Sequence, residues 1–107
     1  EMLSDTGLCL PQCAQGTEHA WHLFVVRCGR RARLIERLTR SGIGCGIHYP
    51  VPVHLMPAYE HLGCARGSLP VTERAAEEVL SLPMFPELAE EEVRSVCRAV
   101  VDALRGA

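Results

Sequence analysis

Three side chains with useful chemistry stand within seven residues of one another: His48 and Tyr49 immediately before Pro50, and His54 two positions after Pro52. An imidazole and a phenol both donate and accept hydrogen bonds, and the imidazole can also move a proton near neutral pH. The two prolines forbid regular helix and central strand, so these groups belong to a braced surface loop, where polar side chains hold fixed and accessible positions. The residues leading into that loop, Ile43 to Tyr49, alternate strictly: Ile43, Cys45, Ile47 and Tyr49 share one face, and Gly44, Gly46 and His48 the other. Alternation of this kind is a strand with one greasy face and one bare face. Glycine weakens a strand and usually marks a bulge or the close approach of a backbone or ligand. His48, Tyr49 and His54 are therefore the candidate substrate-binding residues, although a plain structural turn has the same pattern. Alternation turns Tyr49 towards the isoleucine face unless the backbone twists at Pro50.

The other constellations are weaker. Cys9, Cys13, His19 and His22 have zinc-ligand side chains, but their C-x3-C-x5-H-x2-H spacing is too short in the middle for the familiar finger, and His22 falls in an apolar run. No metal site is expected. Cys45 and His48 point to opposite faces of a strand and make no nucleophile pair. No phosphate-cradling glycine loop, nucleophile elbow or paired-carboxylate motif is present, and Glu90 to Glu92 reads as a solvated helix start.

The elements that must position the loop follow from periodicity. Residues 1–6 read as the last turn of a helix stopped at Gly7, followed by a short extended piece through Leu8 and Leu10 and a polar loop around Gly16. Trp21 to Cys28, rich in β-formers and apolar on both faces, is the expected central strand. Arg30 to Arg40 places Leu34, Ile35 and Leu38 on one side and ends at Ser41-Gly42, an amphipathic helix with a glycine stop. Residues 58–69 read as a short helical turn and loop. Pro70 to Leu80 is a second helix with Val71, Ala75 and Val79 as its stripe, and Ser81 to Pro86 is extended at a sheet edge. Ala89 to Arg105 is a third helix with Val93, Val96, Cys97, Val100 and Leu104 inward. The order β-α-β-loop-α-β-α predicts an α/β two-layer sandwich: a small three-stranded sheet with helices on one face. Its other face needs cover, and a second body is expected to lie against the chain.

A chain of 107 residues is the size of one domain, and 48% hydrophobic with 22% charged residues argues against disorder. Eleven arginines against thirteen acidic residues leave a net charge of -2 without a basic run, so nucleic acid is not an expected partner. The longest apolar run, Leu23 to Val26, falls far short of the ~20 residues that span a bilayer. No basic region followed by an apolar block opens the chain, so no membrane segment and no secretory signal are expected, and the setting reads as cytoplasmic. In that setting the six cysteines are expected to be reduced core thiols.

Three strings then carry a family resemblance: His19-Ala20-Trp21-His22-Leu23-Phe24-Val25-Val26-Arg27; Gly42-Ile43-Gly44-Cys45-Gly46-Ile47-His48-Tyr49-Pro50-Val51-Pro52-Val53-His54; and Leu80-Ser81-Leu82-Pro83-Met84-Phe85-Pro86. In this order they closely resemble the carboxy-terminal part of the DegT/DnrJ/StrS sugar aminotransferases, over residues 8–104. The resemblance implies a homodimeric, pyridoxal-phosphate-dependent parent of the aspartate-aminotransferase type. Such an enzyme aminates a keto group on a nucleotide-linked sugar, commonly from glutamate. Residues 8–107 would be its small C-terminal domain, and residues 1–7 the remnant of a helix from a missing upstream large domain. The resemblance also places the His48-Tyr49-Pro50 turn beside the active site. One departure bears on chemistry: a transaminase of this kind needs a lysine to anchor the cofactor and shuttle the proton, and this chain has none. No catalytic or cofactor-binding residue is therefore expected within it, and pyridoxal phosphate belongs to the missing domain. A sugar dehydratase of the same family, or a stand-alone binding or dimerisation module, is the alternative.

Overall fold

The β-branched pair Val25-Val26 forms the centre of the first strand, β1 (Phe24–Arg27), in the computed structural model, which describes residues 1–106. β1 pairs antiparallel with β2 (Val79–Leu82), with Val26 opposite Leu80 and Val25 opposite Ser81. Opposed residues share a face and neighbours alternate. Phe24, Val26, Leu80 and Leu82 therefore line one side, and Val25 and Ser81 the other. The first side carries the core: Val26 and Leu80 are fully buried together with Leu34 and Leu38 of α1 (Arg31–Arg40) and Val100 of α3 (Glu90–Arg105). Removing each such aliphatic side chain from water is worth about 1.5–3 kcal/mol.

Two strands form, where three were expected. The ribbon is extended on each side by a single antiparallel bridge, Cys9 with Arg27 and Gly46 with Ser81. The segment 43–49 holds only one pair because Gly44 and Gly46 have no side chains to pack and lose the most backbone entropy on ordering. β1 is shorter than the run Trp21 to Cys28, since Trp21 turns into the left-handed region at φ 51°. His22 accordingly lies before the strand and is exposed. β2 begins at Val79 and stops before Pro83, whose ring nitrogen has no proton for a ladder. Residues 1–6 make turns through Ser4 N–H to Glu1 O and Thr6 N–H to Leu3 O, ending at Gly7 with φ 77°.

α2 (Pro70–Glu78) runs directly into β2. Its buried positions are Glu73 and Ala76, whereas of the expected Val71/Ala75/Val79 stripe Val71 is 80% exposed and Ala75 and Val79 are only half-buried. Two short 3₁₀ turns, Val53–Leu55 and Pro57–Leu62, precede it. In α3 the inward side is Val100 and Ala103, with Val96, Cys97 and Leu104 partly buried and Val93 largely exposed.

Arginines at and just before the start of α1 close the helix ends. Arg31 donates to the carbonyls of Ala76 and Val79, Arg30 to that of Leu104, and Arg33 to that of Gly106, meeting acceptors that a helix C-terminus leaves unpaired. Glu78, at the end of α2, bonds both Arg74 and Arg27, and these two hold its carboxyl below the usual carboxylate range. At the other end of α3, Glu92 accepts from the Ala89 N–H.

All six cysteines are free, but only Cys28 is a buried thiol. Cys45 and Cys97 pack at the core margin, and Cys9, Cys13 and Cys64 are exposed because the segments holding them stay outside the two layers. Among the described residues no helix is long and apolar enough to cross a membrane.

Candidate substrate-binding site

The site is built on the sheet face away from the core helices. Gly46 and Ser81 exchange both backbone hydrogen bonds, Ser81 N–H to Gly46 O at 2.7 Å and Gly46 N–H to Ser81 O at 3.1 Å. Directly opposed residues direct their side chains to the same face, so the serine hydroxyl and the bare Cα of Gly46 lie side by side. His48 folds back over both. Its Nδ1 lies 2.8 Å from Ser81 Oγ, and its ring occupies the space a Cβ on Gly46 would need, with Cε1 only 2.8 Å from that position. The bareness of Gly46 thus accommodates the protein's own histidine, while Gly44 faces open space.

Tyr49 departs from the strict alternation. Ile43, Cys45 and Ile47 pack against the core, whereas Tyr49 is 70% exposed and meets the His48 ring edge-on at 5.4 Å between centroids. The peptide between His48 and Tyr49 is cis. Burial pushes the Cys45 thiol up, which keeps it protonated and away from nucleophilic chemistry.

His54 is placed differently from its two companions. Its side chain is only 8% exposed and its Nε2 lies 2.9 Å from Glu73 Oε1. The Glu73 carboxylate also accepts the Gly67 N–H on both oxygens at 2.8 Å and the Leu69 N–H at 3.3 Å. The His54 bond first, then the backbone amide of Gly67, holds the Glu73 carboxyl below its ordinary range. Glu73 therefore clamps together the turn at 53–55, the loop at 67–69 and the start of α2. His54 anchors the loop while His48 and Tyr49 present it.

The zinc-type set does not assemble: no group of three or more metal-ligand side chains comes together among the described residues. His19 is engaged locally, its Nδ1 accepting the Trp21 N–H at 2.8 Å with the two rings stacked at 4.1 Å. Ser81 and Glu73, the hydrogen-bond partners of His48 and His54, are residues that periodicity passed over. Their signal was a polar residue set among apolar ones, Ser81 between Leu80 and Leu82, and a carboxylate in the first turns of α2.

Residues 1–101 match the family model described as the DegT/DnrJ/EryC1/StrS aminotransferase family. The chain is 50% identical over 91 residues to the erythromycin biosynthesis sensory transduction protein EryC1 of Saccharopolyspora erythraea, covering 85% of this chain and 25% of that protein. It is 48% identical over 102 residues to the dTDP-3-amino-3,4,6-trideoxy-alpha-D-glucose transaminase of Micromonospora megalomicea, covering 94% of this chain and 27% of that enzyme. In three dimensions it superposes on S. venezuelae DesV, solved in complex with a ketimine intermediate, with a TM-score of 0.95 at 42% identity, over 99% of this chain and 29% of that one. The chain thus spans between a quarter and a third of the length of these relatives.

Proposed function

The chain belongs to the DegT/DnrJ/EryC1/StrS aminotransferase family, and on that premise we propose that it is the small C-terminal domain of a transaminase acting on a keto group of a nucleotide-linked sugar. In this reading the turn from His48 to His54 forms part of the wall on the substrate side. The observation that carries it is the His48 ring, fixed through Nδ1 on a buried serine while the residue remains exposed beside Tyr49. A polar group held in one orientation and left open is what substrate positioning requires. The transaminase relative supports amination over dehydration.

Pyridoxal phosphate, which the family implies, does not fit the residues present here, because a covalent anchor for it requires a lysine and the chain has none. The contribution of this chain is therefore to hold the sugar. The anchor would lie in the large domain that the relatives' greater length leaves room for, and a second copy of the whole enzyme is the expected partner. Exposed apolar side chains around the loop, Val53, Leu62, Leu69 and Val71 among them, support a neighbouring body at this end of the chain.

The test is His48→Ala in the longer enzyme that carries this segment. Losing one substrate contact should raise KM for the nucleotide sugar, or lower turnover, by about tenfold, equivalent to ~1.4 kcal/mol, with the fold retained. Unchanged kinetics would reduce the loop to a structural turn.

A further inference from the structure

Ser81 is buried, at 5% exposure, on the face of β2 that turns away from the core helices. A hydroxyl in that position must place its proton on an acceptor, since a buried donor left unpaired is costly. Its backbone N–H and C=O are both taken by Gly46. Among the described residues the one side-chain hydrogen bond of Ser81 Oγ is to His48 Nδ1. Two arrangements are available. If Nδ1 carried a proton and donated it to the serine, the serine hydrogen would have no acceptor. If the serine donates to Nδ1, both groups are satisfied, and the imidazole hydrogen must sit on Nε2. His48 Nε2 has no hydrogen-bond partner among the described residues, and the residue is exposed.

We propose that Ser81 is a positioning residue: its hydroxyl donates to His48 Nδ1, and so sets the neutral imidazole to present Nε2–H as a hydrogen-bond donor. The ligand atom it fits is an oxygen that accepts, a phosphate, carbonyl or hydroxyl oxygen of the sugar nucleotide. A ligand N–H donor at the same place would meet another donor and be rejected. The step to the sugar rests on the reading of the His48 turn as a substrate wall, whereas the serine–histidine assignment stands on geometry alone.

The experiment has two arms in the intact enzyme. Kinetically, Ser81→Ala should raise KM for the sugar nucleotide by about fivefold, the value of one neutral hydrogen bond, and leave turnover nearly unchanged. Ser81→Thr, which keeps the hydroxyl, should restore KM. In a His48→Ala background Ser81→Ala should have no further effect on KM, because the serine acts only through the ring. Should Ser81→Ala not fold, Ser81→Cys, close in volume and weak as a donor, takes its place.

Spectroscopically, long-range nitrogen–proton correlation of histidine-labelled protein should show His48 Nδ1 unprotonated. Its resonance should move on Ser81→Ala and return in Ser81→Thr. A protonated Nδ1, an Nδ1 resonance indifferent to Ser81→Ala, or serine and histidine effects that multiply in the double variant overturns the assignment. If His48→Ala leaves both KM and turnover untouched while the Nδ1 signals behave as expected, the substrate wall fails and the serine–histidine assignment survives.

Discussion

Adding a single methyl group at Gly46 should separate the two kinds of glycine in the 43–49 segment. A Cβ built there would sit 2.8 Å from His48 Cε1, closer than a side chain tolerates, and 3.5 Å from each ring nitrogen, so its three nearest neighbours all belong to this ring. The obstacle is the far end of a side chain, so the imidazole swings off and the backbone stays. What is lost is the 2.8 Å bond to Ser81, whose hydroxyl is then buried without an acceptor. That costs about 1–3 kcal/mol. Against it stands the reduced freedom of the unfolded chain, worth about 0.4–1 kcal/mol in favour of alanine where the backbone is not left-handed. Gly44 enjoys only the second effect, having nothing within 4 Å of its own Cβ position. Gly44→Ala is therefore expected to be neutral or slightly stabilising and Gly46→Ala destabilising, with about 1–3 kcal/mol between them. In a domain of this size that separates their thermal midpoints by at least about 4 °C, read by circular dichroism on the two variants side by side. Adding Ser81→Ala to Gly46→Ala removes the stranded donor and should recover most of the gap. A Gly46→Ala chain that melts level with or above Gly44→Ala would refute the view that His48 is packed into the space of a missing side chain.

Acid should loosen the clamp around His54. The Glu73 carboxyl is held below its ordinary range in the folded chain, so its contribution is complete above the unfolded carboxylate value and is lost as pH falls through the lower folded value. The melting temperature of Glu73→Gln should start lower near neutrality and decline less steeply with acid than the native chain, and parallel curves would remove the clamp from the acid response. Thiol labelling of the native chain should modify Cys9, Cys13 and Cys64 first, with Cys45 slow because burial keeps its thiol protonated and Cys28 slowest; uniform rates across all six would contradict the two-layer packing. Leu38→Ala, in the fully buried core beside Val26 and Val100, should cost about 2–5 kcal/mol in a denaturant titration, and a loss below that range would mean that α1 is not seated on the sheet.

Much of the architecture was legible as pattern. α1 and α3 form where amphipathic spacing puts them, with Leu34, Leu38 and Val100 buried as period 3.6 requires, while at the start of α3 Val93 leaves the expected stripe and is exposed. α2 followed its pattern less well. Its apolar positions were read as the inner face, yet Glu73 is buried and Val71 exposed, because four hydrogen bonds from His54, Gly67 and Leu69 offset the cost of burying a carboxylate. A periodicity argument scores side chains by polarity and has no means of seeing those donors.

The site divides along the same line. The residue types at 48, 49 and 54, their braced turn and the absence of lysine are properties of the chain as written. Joined to the family resemblance, they suffice to propose a substrate-facing loop and a cofactor anchor outside this chain. Which member does what was decided by contacts between residues distant in sequence. His48 meets Ser81 across 33 positions, and His54 meets Glu73 across 19. The two histidines carry the same ring and the same prospects in the sequence. They part because one lies over a glycine beside a serine on an open sheet face, and the other against a buried carboxylate. Hydrogen bonding depends on the partner's position to within tenths of an ångström, and only the folded backbone supplies that position.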